Sequence, residues 1–143
     1  VGENLKRTGL SATTITADAF AFTDGGFDAV LLDAPCSATG TIRRHPDLPY
    51  AKDGSEFGIL IHQQERMIDH ALSLLKPGGR LVFCTCSLLP DEGEVQVEEA
   101  LARHAGLTVD ASAIDRAGID PAWRTDDGGL LLRPGYCAHK GCL

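Results

Sequence analysis

Two cysteines, Cys36 and Cys86, are the side chains in this sequence whose type and position suggest chemistry. Each lies at or just beyond the end of an apolar run, 27–33 for Cys36 and 80–86 for Cys86. A cysteine thiolate is a strong nucleophile and a competent leaving group, so it can attack a substrate and later release it. Two such thiols at one site would indicate two roles in covalent catalysis.

The two apolar runs are predicted to be parallel strands buried on both faces. Residues 34–54, which are rich in Pro and Gly, are predicted to form a long irregular segment, and segments of this kind are usually functional. Ligands of open α/β sheets bind beyond the carboxyl ends of the strands, so adjacent strands would bring both thiols into one crevice. Cys84 shares the face of Cys86 by strand alternation but lies deeper in the sheet, and it is interpreted as a packing residue.

Strands and helices alternate along the chain, which predicts an α/β fold with a largely parallel sheet. The helix after residue 55 is amphipathic, and its predicted inner face consists of Phe57, Leu60, Ile61, Gln64, Ile68, Ala71, Leu72 and Leu75. The other predicted elements are a helix at 3–8 that stops at Gly9, a strand at 11–17, a turn at 76–79, a helix from Pro90 to about His104, and a strand at 107–111.

Length and composition are those of one ordinary globular domain, or of part of a larger one. The 143 residues are 43% hydrophobic and 23% charged, and no apolar run approaches the ~20 residues of a membrane helix. The net charge of −7 argues against a general nucleic-acid binder, because phosphate contacts require a basic surface. Five cysteines without a signal peptide indicate reduced thiols in the cytoplasm.

Three segments together carry a resemblance to a known family: 33–40 (DAPCSATG), 76–79 (KPGG) and 85–92 (TCSLLPDE). With a Pro-Cys and a Thr-Cys motif at the tips of neighbouring strands, residues 1–112 resemble the Sun/Fmu (RsmB-like, Nop/Sun) family of RNA cytosine-5 methyltransferases. The resemblance implies a Rossmann-like class I methyltransferase sheet. It also implies transfer of a methyl group from S-adenosylmethionine to carbon 5 of a cytosine in RNA, with ribosomal RNA as the expected substrate.

The resemblance also implies the roles of individual residues. In this family scheme Cys86 is the nucleophile and Cys36 assists product release, whereas DNA cytosine-5 methyltransferases use the cysteine of their Pro-Cys motif as the nucleophile. Asp33 is implied at the cytosine edge or at the methionine end of the cofactor, Asp18 near its adenine, and Pro35 among its contacts. The alternatives are a buried core thiol for Cys86, a helix cap for Asp33 and a plain turn residue for Asp18.

Charge is unevenly distributed along the chain. Arg43, Arg44 and His45 directly follow the Pro-Cys motif and are predicted to contact RNA, although a solvated loop is the alternative. The helix after Pro90 is predicted to carry an acidic face. That face consists of Asp91, Glu92, Glu94, Glu98 and Glu99. A local basic contact is therefore compatible with the overall negative charge.

The chain also departs from the family pattern. It contains no Gly-x-Gly strand-to-helix fingerprint and no aromatic-rich final strand. Residues 1–143 are therefore expected to be the C-terminal part of a methyltransferase catalytic domain, with a sheet that is incomplete at both ends. Alone, the chain is expected to bind S-adenosylmethionine poorly, to be inactive and to self-associate through its open sheet edge. A non-catalytic remnant that binds RNA or a protein partner is the second hypothesis.

A third hypothesis is a redox or zinc module built on Cys137, His139 and Cys142. Their spacing lacks the second pair of ligands that zinc sites usually have, so no metal is predicted.

Overall fold

The computed structural model describes residues 1–133. It is an α/β structure with one parallel sheet, which confirms the predicted fold class. Cys137, His139 and Cys142 lie outside the described residues. The helices are α1 (Gly2–Thr8), α2 (Leu48–Ala51), α3 (Phe57–Ser73) and α4 (Glu94–Arg103); the strands are β1 (Phe27–Asp33) and β2 (Leu75–Cys84). Within residues 1–133 there are also five 3₁₀ turns, at Ala19–Ala21, Thr39–Thr41, Pro90–Glu92, Ala111–Ile114 and Pro121–Trp123.

The two strands are neighbours and run parallel. Leu31 pairs with Val82 and Asp33 pairs with Cys84, so both strands end at the same edge of the sheet. Helix α3 connects them, as a crossover between parallel strands requires. The parallel pairing therefore places the segment after Asp33 beside the segment after Cys84.

Helix α3 forms because its apolar positions recur with the helical period. Its buried residues Gln64, Ile68 and Ala71 follow one another at intervals of four and three, and they lie on one face. That face covers one side of the sheet, while Leu31 and Val82 on the other side are 70% and 52% exposed. The prediction that the strands are buried on both faces is therefore wrong, because within residues 1–133 a helix packs on only one face.

Strand β2 differs from its predicted bounds of 80–86 at both ends. It begins at Leu75, which pairs with Phe27, and the pairing is irregular until Arg80. Gly78 has a φ of +77°, a conformation that favours glycine, so the predicted turn becomes a distortion inside the strand. The regular pairing ends at Cys84, and Cys86 lies two residues beyond the strand rather than in it.

Two predicted strands do not form. Within residues 1–133 no strand pairs with 11–17, and β-branched residues alone do not make a strand without a partner. Residues 107–111 are also unpaired, because the carbonyl of Asp110 accepts a hydrogen bond from the Ala113 N–H and opens the turn Ala111–Ile114. A single antiparallel bridge joins Arg124 to Leu130.

The helix predicted from Pro90 to His104 is broken near its start. Pro90–Glu92 is a 3₁₀ turn, Gly93 adopts φ −131° and ψ −100°, and α4 begins at Glu94. Glu92, the last residue of the 3₁₀ turn, is fully buried. The helix predicted at 3–8 is confirmed as α1, which ends at Gly9 with φ +68°.

Within the described part of the chain no helix is both long and apolar enough to cross a membrane. Residues 1–133 also contain no group of three or more His, Cys, Asp or Glu side chains arranged to hold a metal ion.

Candidate active site

The two sequence-predicted thiols lie side by side. Cys36 follows the end of β1 by three residues, Cys86 follows the end of β2 by two, and their sulfur atoms are 3.4 Å apart. Parallel pairing of the two strands produces this arrangement, because the chain leaves both strands at the same edge. The expectation that adjacent strands would bring the thiols to one crevice agrees with this geometry.

The loops that carry the thiols are joined backbone to backbone. The Ala34 N–H donates to the Cys84 carbonyl at 3.0 Å, and the Gly40 N–H donates to the Cys86 carbonyl at 2.9 Å. A Cβ at position 40 would lie 2.7 Å from that carbonyl oxygen, closer than carbon and oxygen can approach. Glycine at position 40 therefore permits the close contact that holds the two loops together.

A buried polar cluster lies beneath the thiols. The carboxylate of Glu92 accepts hydrogen bonds from the Ser37 N–H at 2.9 Å, from the Ser37 hydroxyl, and from Gln64 Nε2 at 3.0 Å. The Ser87 hydroxyl lies 3.2 Å from that of Ser37 and 3.1 Å from that of Thr39. Ser37, Gln64 and Glu92 are completely buried, so the cluster forms part of the core.

Glu92 corrects the prediction of an exposed acidic face on the helix after Pro90. Its side chain points into the cluster and not to solvent. Burial raises the pKa of Glu92, but hydrogen bonds from Ser37, Ser87 and Gln64 outweigh burial and hold that pKa below its ordinary value. Glu92 is therefore an ionised carboxylate inside the protein, stabilised by its donors.

Cys86 is a thiol in the resting protein. Partial burial, followed by the hydrogen bond and the charge of Cys36, raises the pKa of Cys86 to about 11. A thiol with this pKa is almost entirely protonated at neutral pH, so its reactivity depends on removal of the proton when substrate arrives. Cys36 is the partner whose sulfur is within hydrogen-bond distance.

Cys84 agrees with its interpretation as a packing residue. It is half-buried, and its thiol contacts the Leu32 carbonyl at 3.4 Å. Burial and the nearby charge of Asp33 raise the pKa of Cys84. Cys84 pairs with Asp33 at the ends of the two strands. This pair comes before the Cys36–Cys86 pair in both chain segments.

Asp33 is exposed at the end of β1, and its Oδ1 lies 4.0 Å from Cys84 Sγ. The next element is the 3₁₀ turn at Thr39, whose N-cap is Ala38 in the left-handed conformation, so Asp33 does not cap a helix. Pro35, also exposed, is held by Gln64, whose amide donates to the Pro35 carbonyl at 2.8 Å. Asp33 and Pro35 therefore lie at the same sheet edge as the thiols.

Asp18 lies apart from the thiols. It caps the 3₁₀ turn Ala19–Ala21, where its carboxylate accepts a hydrogen bond from the Phe20 N–H at 2.8 Å, so the turn alternative describes one of its contacts. Asp18 also lines an open cavity of about 310 Å³ that neither Cys36 nor Cys86 reaches. The other residues that line this cavity are Ile15, Ala17, Ala19, Phe22, Val30, Leu32, Met67, His70, Ala71 and Leu74.

The basic segment is exposed. Arg43, Arg44 and His45 follow the 3₁₀ turn Thr39–Thr41, and the N–H groups of Arg44 and His45 both donate to the Thr41 carbonyl. Neither arginine forms an ion pair with another residue within 1–133, so both guanidinium groups are available at the surface.

The buried cluster is not predicted from the sequence as part of the site. The helical period places Gln64 on the inner face of a helix, and a polar residue among apolar neighbours on such a face is the signal that could have found the cluster. Ser37 and Glu92 both lie within the quoted motifs. Nothing in the spacing of these motifs indicated that they contact one another.

The chain is similar to one family model and to several named proteins. A family model described as 16S rRNA methyltransferase RsmB/F matches residues 1–122. The ribosomal RNA small subunit methyltransferase B of Shewanella oneidensis is 40% identical over 132 residues, which cover 90% of this chain and 31% of that protein. The protein of the same name from Vibrio cholerae is 43% identical over 145 aligned positions, which cover 99% of this chain and 31% of the relative.

The chain spans about a third of the length of the curated relatives it matches. Among solved structures, the crystal structure of PH0851 superposes with a TM-score of 0.68 at 31% sequence identity. That match covers 72% of this chain and 24% of the other.

Proposed function

The chain belongs to the 16S rRNA methyltransferase RsmB/F family, and from that premise we propose that its two thiols catalyse the transfer of a methyl group to carbon 5 of a cytosine in ribosomal RNA. The observation that carries this proposal is the 3.4 Å separation of Cys36 and Cys86 at the ends of adjacent strands. Carbon 5 of cytosine is a weak nucleophile, and its methylation needs a thiolate at carbon 6 and a base at carbon 5. Two adjacent thiols can supply both.

In the proposed reaction the exposed Cys86 thiol gives its proton to solvent water, and its sulfur bonds to carbon 6. Electron density moves to carbon 5, which takes the methyl group from a bound sulfonium donor, so that the bond between the donor sulfur and that methyl group breaks and a neutral thioether leaves. A base then removes the proton from carbon 5, the double bond between carbons 5 and 6 re-forms, and the Cys86 thiolate leaves. Thiolate is suited to both the first and the last step, since it is a good nucleophile and a good leaving group.

Cys36 is proposed to assist product release. The Cys36 sulfur contacts Cys86 Sγ, so Cys36 would lie on the same side of a cytosine ring that is bonded to Cys86. Ionised Cys36 would be a base at that position. Asp33 is exposed at the same edge, where a carboxylate can accept a hydrogen bond from the exocyclic amino group of cytosine.

S-adenosylmethionine is the proposed methyl donor, and when bound it supplies an electrophilic methyl group on a sulfonium. The residues present fit parts of such a molecule. Asp18 and the apolar side chains of the cavity suit a flat heterocycle with amino hydrogens, and Asp33 with the Pro35 segment suits the polar methionine end. Asp18, Asp33 and Pro35 are therefore the proposed cofactor contacts.

Arg43, Arg44 and His45 are the proposed RNA contacts. They follow the segment that carries Cys36, and they are exposed. Guanidinium groups bind phosphate oxygens through paired N–H donors, which would position the RNA without reading its sequence.

The test is incorporation of labelled methyl from S-adenosylmethionine into 16S rRNA by the full-length protein, followed by nucleoside analysis for 5-methylcytidine. Cys86→Ala should abolish incorporation, whereas Cys84→Ala, a thiol removed two positions away, should keep it. Wild-type turnover by the Cys86→Ala protein would refute the assignment. A methylated nucleoside other than 5-methylcytidine would refute the proposed target atom.

A further inference from the structure

Glu92 touches neither thiol, but its hydrogen bonds hold the loop that carries Cys36, and Ser37 of that loop contacts Ser87 of the loop that carries Cys86. Oε1 accepts from the Ser37 N–H at 2.9 Å and from Gln64 Nε2 at 3.0 Å, and Oε2 accepts from the Ser37 hydroxyl. Ser37 directly follows Cys36 in the chain. The position of the Ser37 backbone, and with it the start of the Cys36 side chain, is therefore set by the carboxylate.

The same cluster reaches the second thiol loop through hydroxyl groups. The Ser37 hydroxyl lies 3.2 Å from the Ser87 hydroxyl, and Ser87 directly follows Cys86. The Ser87 hydroxyl also accepts a hydrogen bond from the Leu89 N–H at 3.0 Å, which shapes the turn leading to Glu92. A continuous set of hydrogen bonds thus joins the residue after one thiol to the residue after the other.

Helix α3 anchors this cluster. Gln64 donates from one nitrogen to both the Glu92 carboxylate and the Pro35 carbonyl, at 3.0 and 2.8 Å. The Pro35 carbonyl directly precedes Cys36 in the chain. The residues on both sides of Cys36 are therefore held by one buried amide–carboxylate pair.

We propose that Glu92, supported by Gln64, is the positioning residue that holds Cys36 and Cys86 in sulfur–sulfur contact. This inference rests on the proposed function for its consequence in catalysis, but the positioning itself is a property of the described residues. Glu92 is fully buried and cannot touch RNA or cofactor, so it acts through the loops and not on the reacting atoms.

A trivalent arsenical tests the positioning without any methyl transfer. Phenylarsine oxide binds two thiols at once: two arsenic–sulfur bonds form, and the two thiol protons leave with the oxygen as water. Tight binding therefore requires two sulfur atoms held close together. The measurement uses the 143-residue chain with Cys84, Cys137 and Cys142 replaced by serine, so that Cys36 and Cys86 are the remaining thiols.

The expected results separate positioning from simple packing. Glu92→Met keeps an unbranched side chain of similar length but removes both carboxylate oxygens, and should weaken arsenical binding about tenfold or more, since small displacements of a rigid pair are costly. Glu92→Gln keeps an acceptor for Ser37 N–H and Gln64, and should stay within about threefold of wild type on the same reasoning. Wild-type binding by Glu92→Met would overturn the proposal.

Gln96 provides the matched control. It is equally buried, and its amide donates to the carbonyls of Ile61 and Asp91, but it has no hydrogen bond to Ser37 or Ser87, the residues that follow the two thiols. Gln96→Met should leave arsenical binding unchanged, and an equal loss in this variant would overturn the specific role of Glu92. If Glu92→Met does not fold by circular dichroism, Ser37→Ala carries the same test, because it cuts the link from the carboxylate to Ser87.

Methyl transfer by the full-length protein supplies the second readout. Glu92→Met should lower kcat about 100-fold while leaving the KM for RNA unchanged, because a misplaced thiol slows chemistry but not binding. If the proposed function is wrong but Glu92 does position the thiols, the wild-type chain binds the arsenical, Glu92→Met weakens that binding, and neither protein forms 5-methylcytidine. If the positioning inference is wrong, Glu92→Met binds the arsenical as tightly as the wild type.

Discussion

The sulfur atoms of Cys36 and Cys86 lie 3.4 Å apart although fifty residues separate them in the chain. That separation is a contact between two reduced thiols and is longer than the ~2.05 Å of a disulfide bond. Because each cysteine lies just beyond the end of its strand, the contact lies at the carboxyl-terminal ends of the two strands. Two thiols at this edge can face the same base from the same side.

Removal of Cys36 should trap the covalent intermediate. In the Cys36→Ala protein the Cys86 adduct with RNA should form but break down slowly, because the thiol proposed to assist release is missing. The measurement is the amount of protein–RNA complex that survives denaturing electrophoresis. The complex should disappear in the Cys36→Ala, Cys86→Ala double variant. Accumulation in the Cys86→Ala single variant instead would reverse the two roles.

Alkylation of Cys86 by iodoacetamide should be slow at neutral pH and should rise with a midpoint near pH 11, the pKa given by partial burial and by Cys36. Only the thiolate reacts, so the rate follows the ionised fraction. Since Cys36 raises this pKa, Cys36→Ala should move the midpoint to lower pH. Mass spectrometry of the Cys86 peptide measures the rate. A midpoint that stays in place or rises in Cys36→Ala would contradict the assigned cause.

Acid should destabilise the fold through Glu92. Its pKa in the folded protein lies below its ordinary value of 4.5, so the unfolded chain takes up this proton at a higher pH than the folded one. The free energy of unfolding should therefore fall as the pH drops through about 4.5 and below. Urea unfolding at pH 6 and pH 3.5 measures the loss, which should be smaller in Glu92→Gln.

Glu98→Gln is the control for this pH dependence, because it removes the same charge from an exposed position of α4. Its loss of stability between the two pH values should equal that of the wild type. An identical loss in Glu92→Gln and in the wild type would show that Glu92 does not hold a depressed pKa.

The basic loop should contribute RNA affinity that depends on salt. Each arginine that contacts a phosphate contributes about one unit to the slope of log affinity against log salt concentration. Arg43→Ala with Arg44→Ala should therefore reduce that slope by about 2 and weaken binding to 16S rRNA. Filter binding across a salt series measures both quantities. Lys6→Ala with Arg7→Ala removes the same charge from α1 and should change them less.

Elements with a clear pattern of apolar residues along the chain were predictable from the sequence. Strand β1 has the expected residues, because a continuous apolar run matches one kind of structure. Helix α3 contains the predicted inner face up to Leu72, but the prediction for Leu75 is wrong, because Leu75 begins β2. Residues 11–17 and 107–111 were mispredicted because a strand depends on a partner, and short stretches of β-branched or apolar residues carry no information about pairing. The exposure of one side of the sheet could not be predicted either, because an apolar strand does not indicate which of its faces another element covers.

The candidate site was predictable as a pair of thiols but not as a cluster. Cys36 and Cys86 could be brought together by reasoning about strand ends alone. Glu92 lies in the 3₁₀ turn Pro90–Glu92, which ends at Gly93, and not in the continuous helix that the sequence predicts. An acidic residue beside other acidic residues is otherwise expected on a solvated surface. Only the tertiary structure shows that Ser37 and Gln64 donate hydrogen bonds to Glu92.

The contact between Gly40 and the Cys86 carbonyl divides the segment after β1 into two parts with different freedom to change. Between Asp33 and Gly40 the chain is tied at both ends to the β2 side, so one inserted or deleted residue would break a tie. Beyond Thr41 the chain runs over the surface to α3, and the entropic cost of a longer loop grows only slowly with length. Residues 42–54 can therefore be lengthened, shortened or given a different charge while the distance between the two sulfur atoms stays the same.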